Sequence, residues 1–136
     1  MFDSSFEVLS TLASLFRLQG LEVTVEPNTI CVGREQWDRY SKQNLTMLSA
    51  APAIKMGSKT FYMYASEQYD SAQTLTKYSI KLCNWNKTEI QAWELDTKRG
   101  QHLHFYSNGD KDPIHFPLEG SIRDIASQIM HVMRMY

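Results

Sequence analysis

Hydrophobic and polar positions alternate most regularly between Thr74 and Phe116. Thr76, Tyr78, Ile80 and Leu82 interleave with Lys77, Ser79, Lys81 and Cys83. That period of two predicts a strand with one buried face. Asn84-Trp85-Asn86-Lys87 interrupts it with turn-forming residues. A second run follows from Thr88 to Asp96, with Trp93 and Leu95 on one side. Lys98-Arg99-Gly100 is the next break, where Gly100 suits a turn that needs positive φ. In the third run, Gln101 to Tyr106, Leu103 and Phe105 oppose His102, His104 and Tyr106. Asn108-Gly109 has the form of a type I′ hairpin turn, and Ile114 and Phe116 make a short last strand with His115 on its other face. Short connections make neighbouring strands antiparallel, which predicts a meander.

The flanks carry helical periodicity. Phe6, Leu9, Ala13 and Phe16 predict a helix over Ser5 to Gln19, with Ser4 and Glu7 spaced as a capping box and Gly20 as its stop. Ile122, Ile125, Ala126, Ile129, Met133 and Tyr136 predict a second helix, opened by Ser121 and Asp124 and packed on the sheet. Between the first helix and the meander the pattern is weaker. Leu21 to Glu26 reads as a strand, with Thr29 to Val32 as its hairpin partner. Arg34 to Lys42 reads as a short helix or a surface turn. Ser41 to Ser58 reads as a connection with a short helical piece, Lys59 to Ala65 as an aromatic strand, and Ser66 to Ser71 as a polar loop. The expected class is α+β: an antiparallel meander sheet with an N-terminal helix, a small N-terminal hairpin and a C-terminal helix packed on it. One domain accounts for residues 1–136, with a helix-hairpin part at 1–58 and the meander with its helix at 59–136.

A net charge of −1 gives no bulk attraction to nucleic acid or an anionic membrane. Between Thr76 and Lys111 basic residues outnumber acidic ones, a mild local patch. No secretory signal and no apolar run near the roughly 18 residues of a membrane span appear. Cys31 and Cys83 form no CxxC pair and read as two buried thiols of a cytoplasmic protein. No nucleotide-binding, zinc-protease or serine-hydrolase motif is present, and no cofactor is expected.

His102 and His104, at i and i+2 of one strand, share a face, and His115 is expected to join them. They are the catalytic candidates, with Lys98, Arg99 and Tyr106 as ligand-contact candidates beside them. Three readings stand open: polar side chains of a solvated face, acid–base or ligand-contacting imidazoles, and metal ligands. No carboxylate or cysteine stands beside them at tight metal-ligand spacing. Tyr62, Tyr64, Tyr78, Trp85 and Trp93 interleave with Lys59, Lys77, Lys81 and Lys87, as a base-stacking platform would, although aromatic strands more often build a core. Met130, Met133 and Met135 with His131 suit either core filling or a partner surface.

The run Arg99-Gly100-Gln101-His102-Leu103-His104, followed by Pro113 to Phe116 and a terminal helix, resembles the TumE-like toxins of prokaryotic toxin–antitoxin modules. The resemblance covers about residues 74–133 and rests on Gly100, His102 and His104, with Gln101 where the family commonly has an acid. It implies a small accessory protein of a prokaryote or mobile element, whose histidine-bearing sheet face contacts a ligand such as RNA. The residues support a second expectation: a non-catalytic protein-interaction module, as a homodimer or with another protein, and no membrane partner.

Overall fold

The computed structural model describes residues 6–96, 100–105, 114–117 and 120–136, with backbone alone for 103–105 and 114–117. Helix α1 (Glu7–Leu18) leads into β1 (Glu22–Val25) and a 3-10 turn at Pro27–Thr29. Then come β2 (Cys31–Asp38), β3 (Gln43–Ala50), β4 (Pro52–Met56), β5 (Lys59–Tyr69), β6 (Leu75–Cys83), β7 (Glu89–Asp96), β8 (Gly100–Phe105) and β9 (Ile114–Pro117). Helix α2 (Ile122–Arg134) closes the chain. Among the described residues the nine strands form one antiparallel sheet, ordered β1-β4-β5-β6-β7-β8-β9. The α+β class and the meander from β5 onward follow the hydrophobic pattern.

Strand β5 organises the sheet. One edge pairs with β6, while the other is shared: β4 takes Lys59 to Tyr62 and β3 takes Ala65 to Tyr69. Both helices cover one face. Phe61, Met63, Ala65, Tyr78, Ile80, Leu82 and Trp93 meet Leu9, Leu12, Phe16, Ile125, Ile129 and Met133 in one core. Burying each large side chain contributes about 1.5–3 kcal/mol. Met130 and Met133 are core residues, whereas Met135 and His131 are exposed.

The N-terminus of α1 is held by a group far away in sequence. Phe6 is the N-cap residue and makes no side-chain cap bond; Ser4 of the expected capping box lies outside the described residues. Instead Val8 N and Leu9 N donate to Glu67 Oε1 and Oε2, each at 2.9 Å, from 59 and 58 positions away. Tyr69 Oη donates to Glu67 Oε1 at 2.6 Å and accepts from Glu7 N at 3.0 Å. Burial, reinforced by Glu67, pushes the Tyr69 phenol far above its usual range, so it stays a donor. Glu67 is only 1% exposed; the helix's first N–H groups and its dipole stabilise the buried carboxylate. At the other end Gly20 N bonds Arg17 O and Leu21 N bonds Phe16 O, a Schellman closure with Gly20 at φ +81°.

Helix α2 has the expected capping box between Ser121 and Asp124. Gly120 before it, at φ +124°, has no room for a side chain: a Cβ would stand 2.7 Å from Asp124 Oδ2. The Trp93 indole donates to Gln128 Oε1 at 2.9 Å, fixing α2 against β7.

Five expectations are corrected. β1 pairs with β4, not with the segment after Pro27. Arg34 to Lys42 is most of β2 and its turn, where Asp38 accepts from Tyr40 N and from Ser41 N and Oγ. Ser41 to Ser58 contains β3 and β4, the latter turned into β5 at Gly57 (φ +63°) and Ser58. Ser66 to Ser71 is not a loop, because β5 continues to Tyr69 on its bonds to β3 and β6. Cys83 is buried as expected, but Cys31 is exposed, as are the other residues of β2 up to Trp37. No helix among the described residues is long and apolar enough to cross a membrane.

Replacing Glu67 with alanine should lower unfolding free energy by about 3–5 kcal/mol, and Tyr69→Phe by about 1 kcal/mol, in urea titrations. Equal, small effects would remove Glu67 from its place as the anchor of α1. The Ser121 backbone N–H, then its hydroxyl, holds Asp124 below the usual carboxylate range. Its contribution is therefore complete above the unfolded pKa, about 4, and disappears as pH falls through the lower folded value. Amide exchange in the first turn of α2 should quicken over that acid window, and Asp124→Asn should abolish the pH dependence.

Candidate functional site

Strand alternation divides the β7–β8 region between two environments. Gln101, on the helix side, accepts from Tyr78 Oη and donates to Gly120 O, both at 3.0 Å. His102, the next residue, lies on the face away from the helices, directly opposite Glu94. Gly100, at φ +68°, starts the strand and places its carbonyl 2.9 Å from His102 Nδ1. That carbonyl requires the proton on Nδ1. Nε2 stands 4.0 Å from Glu94 Oε2 and 3.9 Å from Asp96 Oδ2.

His102 therefore shares the expected polar face, but not as a solvated imidazole: only 3% of the residue is exposed. The backbone register sets His104 opposite His115. The side chains of His104 and His115, and all of Lys98, Arg99 and Tyr106, lie outside the described residues. Among the described residues no trio of His, Cys, Asp or Glu is arranged to hold a metal ion.

A row of hydroxyls crosses the same face. Ser49 pairs with Ser66, Ser66 with Ser79, Ser79 with Glu94, and Glu94 with His102. The carboxylate thus separates the serine from the imidazole. Two strand spacings, roughly 10 Å, lie between Ser79 and His102. A serine nucleophile needs its base within about 3 Å, so the row is no Ser–His pair. Instead Thr29, Ser49, Tyr64, Ser66, Ser79 and Lys81 line a shallow cavity of about 360 Å³. Lys81 meets Glu89 at 3.7 Å at its rim.

The aromatic residues expected to form one platform are split between the faces. Tyr78 and Trp93 are buried under the helices. Tyr62 and Trp85 are accessible, but Lys87 Nζ sits 5.1 Å from the Tyr62 ring and Lys59 Nζ 5.4 Å from the Trp85 ring. A stacking base would have to displace these cations, each worth about 0.5–1 kcal/mol. Cys83 is no better placed for chemistry, because burial, and then nearby Glu89, push its thiol up.

Three exposed large apolar groups, Val32, Trp37 and Tyr40, lie elsewhere, on the β2–β3 hairpin. All of β2 from Cys31 to Trp37 is exposed, and its outer edge pairs with no described strand. Trp37 is 61% and Tyr40 84% exposed. β3 pairs with β5 only from Thr46 onward, so the hairpin tip extends past the sheet body. The sequence held one signal for this hairpin, Asp38 with Ser41 and Lys42, the last at φ +53°.

His102→Ala should lower stability by about 2 kcal/mol, because it opens a buried site and removes the ring hydrogen-bonded to Gly100 O. An effect within about 0.5 kcal/mol by denaturant titration would return His102 to a solvated surface position.

No protein-family model, curated protein or solved structure matches this chain.

Proposed function

We propose that this protein is a non-catalytic protein-interaction module that docks through the β2 edge and the tip of the β2–β3 hairpin. The observation that carries the reading is the exposure of β2 along its length, together with Trp37 and Tyr40 at its turn. An unpaired edge offers backbone N–H and C=O groups to another chain. Exposed tryptophan and tyrosine supply the anchors on which protein interfaces concentrate their binding energy. The toxin-like reading, with RNA at the histidine face, ranks second. His102 is buried between Glu94 and Asp96, and that acidic corner opposes a polyanion.

The test places a photo-crosslinking side chain at Trp37 or Tyr40, with exposed Leu18 on α1 as control. In cells expressing the protein, positions 37 and 40 should each give a discrete protein adduct and position 18 none. Adducts of equal yield at all three positions, or none at 37 and 40, would overturn the reading.

A further inference from the structure

The outer edge of β2 pairs with no described strand. Its regular ladder with β3 runs from Arg34 to Asp38 and is bounded on both sides. A register shift between Cys31 and Arg34, with Gly33 at φ +80°, breaks it at one end. The Asp38-held turn ends it at the other. Gln36 is the midpoint of that stretch.

Two copies of one strand pair antiparallel about a twofold axis perpendicular to the sheet. The axis preserves faces, so one residue must stand opposite itself and the others pair symmetrically about it. Centred on Arg34 the ladder opposes two arginines, and centred on Glu35 it opposes two glutamates. Centred on Gln36 it opposes Arg34 to the partner's Asp38, and Asp38 to the partner's Arg34. It also sets Glu35 beside the partner's Trp37 and brings Val32 towards the partner's Tyr40. Charged residues on an edge ordinarily discourage pairing. Here the register centred on Gln36 uses the whole regular stretch and sets Arg34 and Asp38 in opposite-sign pairs, while Glu35 stands beside Trp37.

Resting on the interaction reading above, we infer that the chain forms a twofold homodimer through antiparallel β2–β2 pairing centred on Gln36. The partner is a second copy of this chain, and the two sheets become one. The Ser41 hydroxyl holds the Asp38 carboxyl below its usual range, so it is ionised at neutral pH. Its turn bonds leave acceptor capacity for a guanidinium, because a carboxylate has about four lone-pair sites. Arg34 and Gln36 also line the small cavity with Met47, Ser49 and Ser66, so the open faces of the two copies would run together at the axis.

Light scattering on the wild-type chain from about 10 µM to 1 mM should give twice the 15.8 kDa chain mass. Arg34→Asp should weaken association by at least about tenfold. The double variant R34D/D38R should restore it. A second test does not disturb the Asp38 turn. In a Cys31→Ser background, Gln36→Cys should form an intermolecular disulfide under mild oxidation, since a central pair lies within disulfide reach. Lys55→Cys, at an exposed position of β4, should not. A wild-type monomer throughout the range, or cross-linking no faster at 36 than at 55, overturns the dimer. If the light-scattering mass is that of a monomer while the photo-adduct at Trp37 contains a different protein, this inference falls and the interaction reading stands. If the mass is that of a monomer and no discrete adduct forms, both fall.

Discussion

The fold hangs on a carboxylate in an apolar place. Glu67 projects from the middle strand into the interface that α1 must occupy, and it is almost wholly buried there. An unpaired charge in that position would cost several kcal/mol. The open N-terminus of a helix is the complementary object, with backbone N–H groups lacking acceptors and a positive dipole end. Glu67 and α1 satisfy each other, and Tyr69 completes the set by linking the carboxylate to Glu7 N. This contact selects where along β5 the helix sits, which residue face it buries and which side of the sheet it covers.

Once α1 is fixed and α2 lies beside it, the sheet is one-sided, and neighbouring residues acquire different chemistry. Trp93 is a core residue bonded to α2, while Glu94 faces the other way beside His102. Gln101 joins Tyr78 to the start of α2, while the His102 ring lies between carboxylates. The face away from the helices carries the hydroxyls of Ser49, Ser66 and Ser79 across β3, β5 and β6. The interaction reading grows from this division: the helices use up one face, and Val32, Trp37 and Tyr40 stay exposed along the outer strand and turn of the β2–β3 hairpin.

Edge management explains the remaining irregularities. β2 combines a register shift, a left-handed glycine, and charges at Arg34, Glu35 and Asp38. These features suppress indiscriminate strand addition. The regular stretch from Arg34 to Asp38 is used in full only by pairing centred on Gln36, so the same residues that protect the edge can specify its partner.

Much of the architecture was legible locally. The period of two in β6, β7 and β8, the Asn84 turn, the stripe of α2 and its Ser121–Asp124 cap are short-range features, and each formed where its pattern lay. That Glu94 stands opposite His102 follows only from the β7–β8 register. Residues 31–58 were not legible, because β2 is exposed on both faces and has no buried face to impose a period. β1 was assigned the nearest partner, but its mate is β4, chosen by the β5 edge that both halves of the β3–β4 segment share. The sequence alone therefore determined the α+β class, the meander and the facing of its residues, since these depend on neighbours within a few positions. Only the tertiary structure decided that Glu67 caps α1, that His102 is buried and that β2 is a free edge. Burial and charge compensation depend on groups brought together from distant parts of the chain.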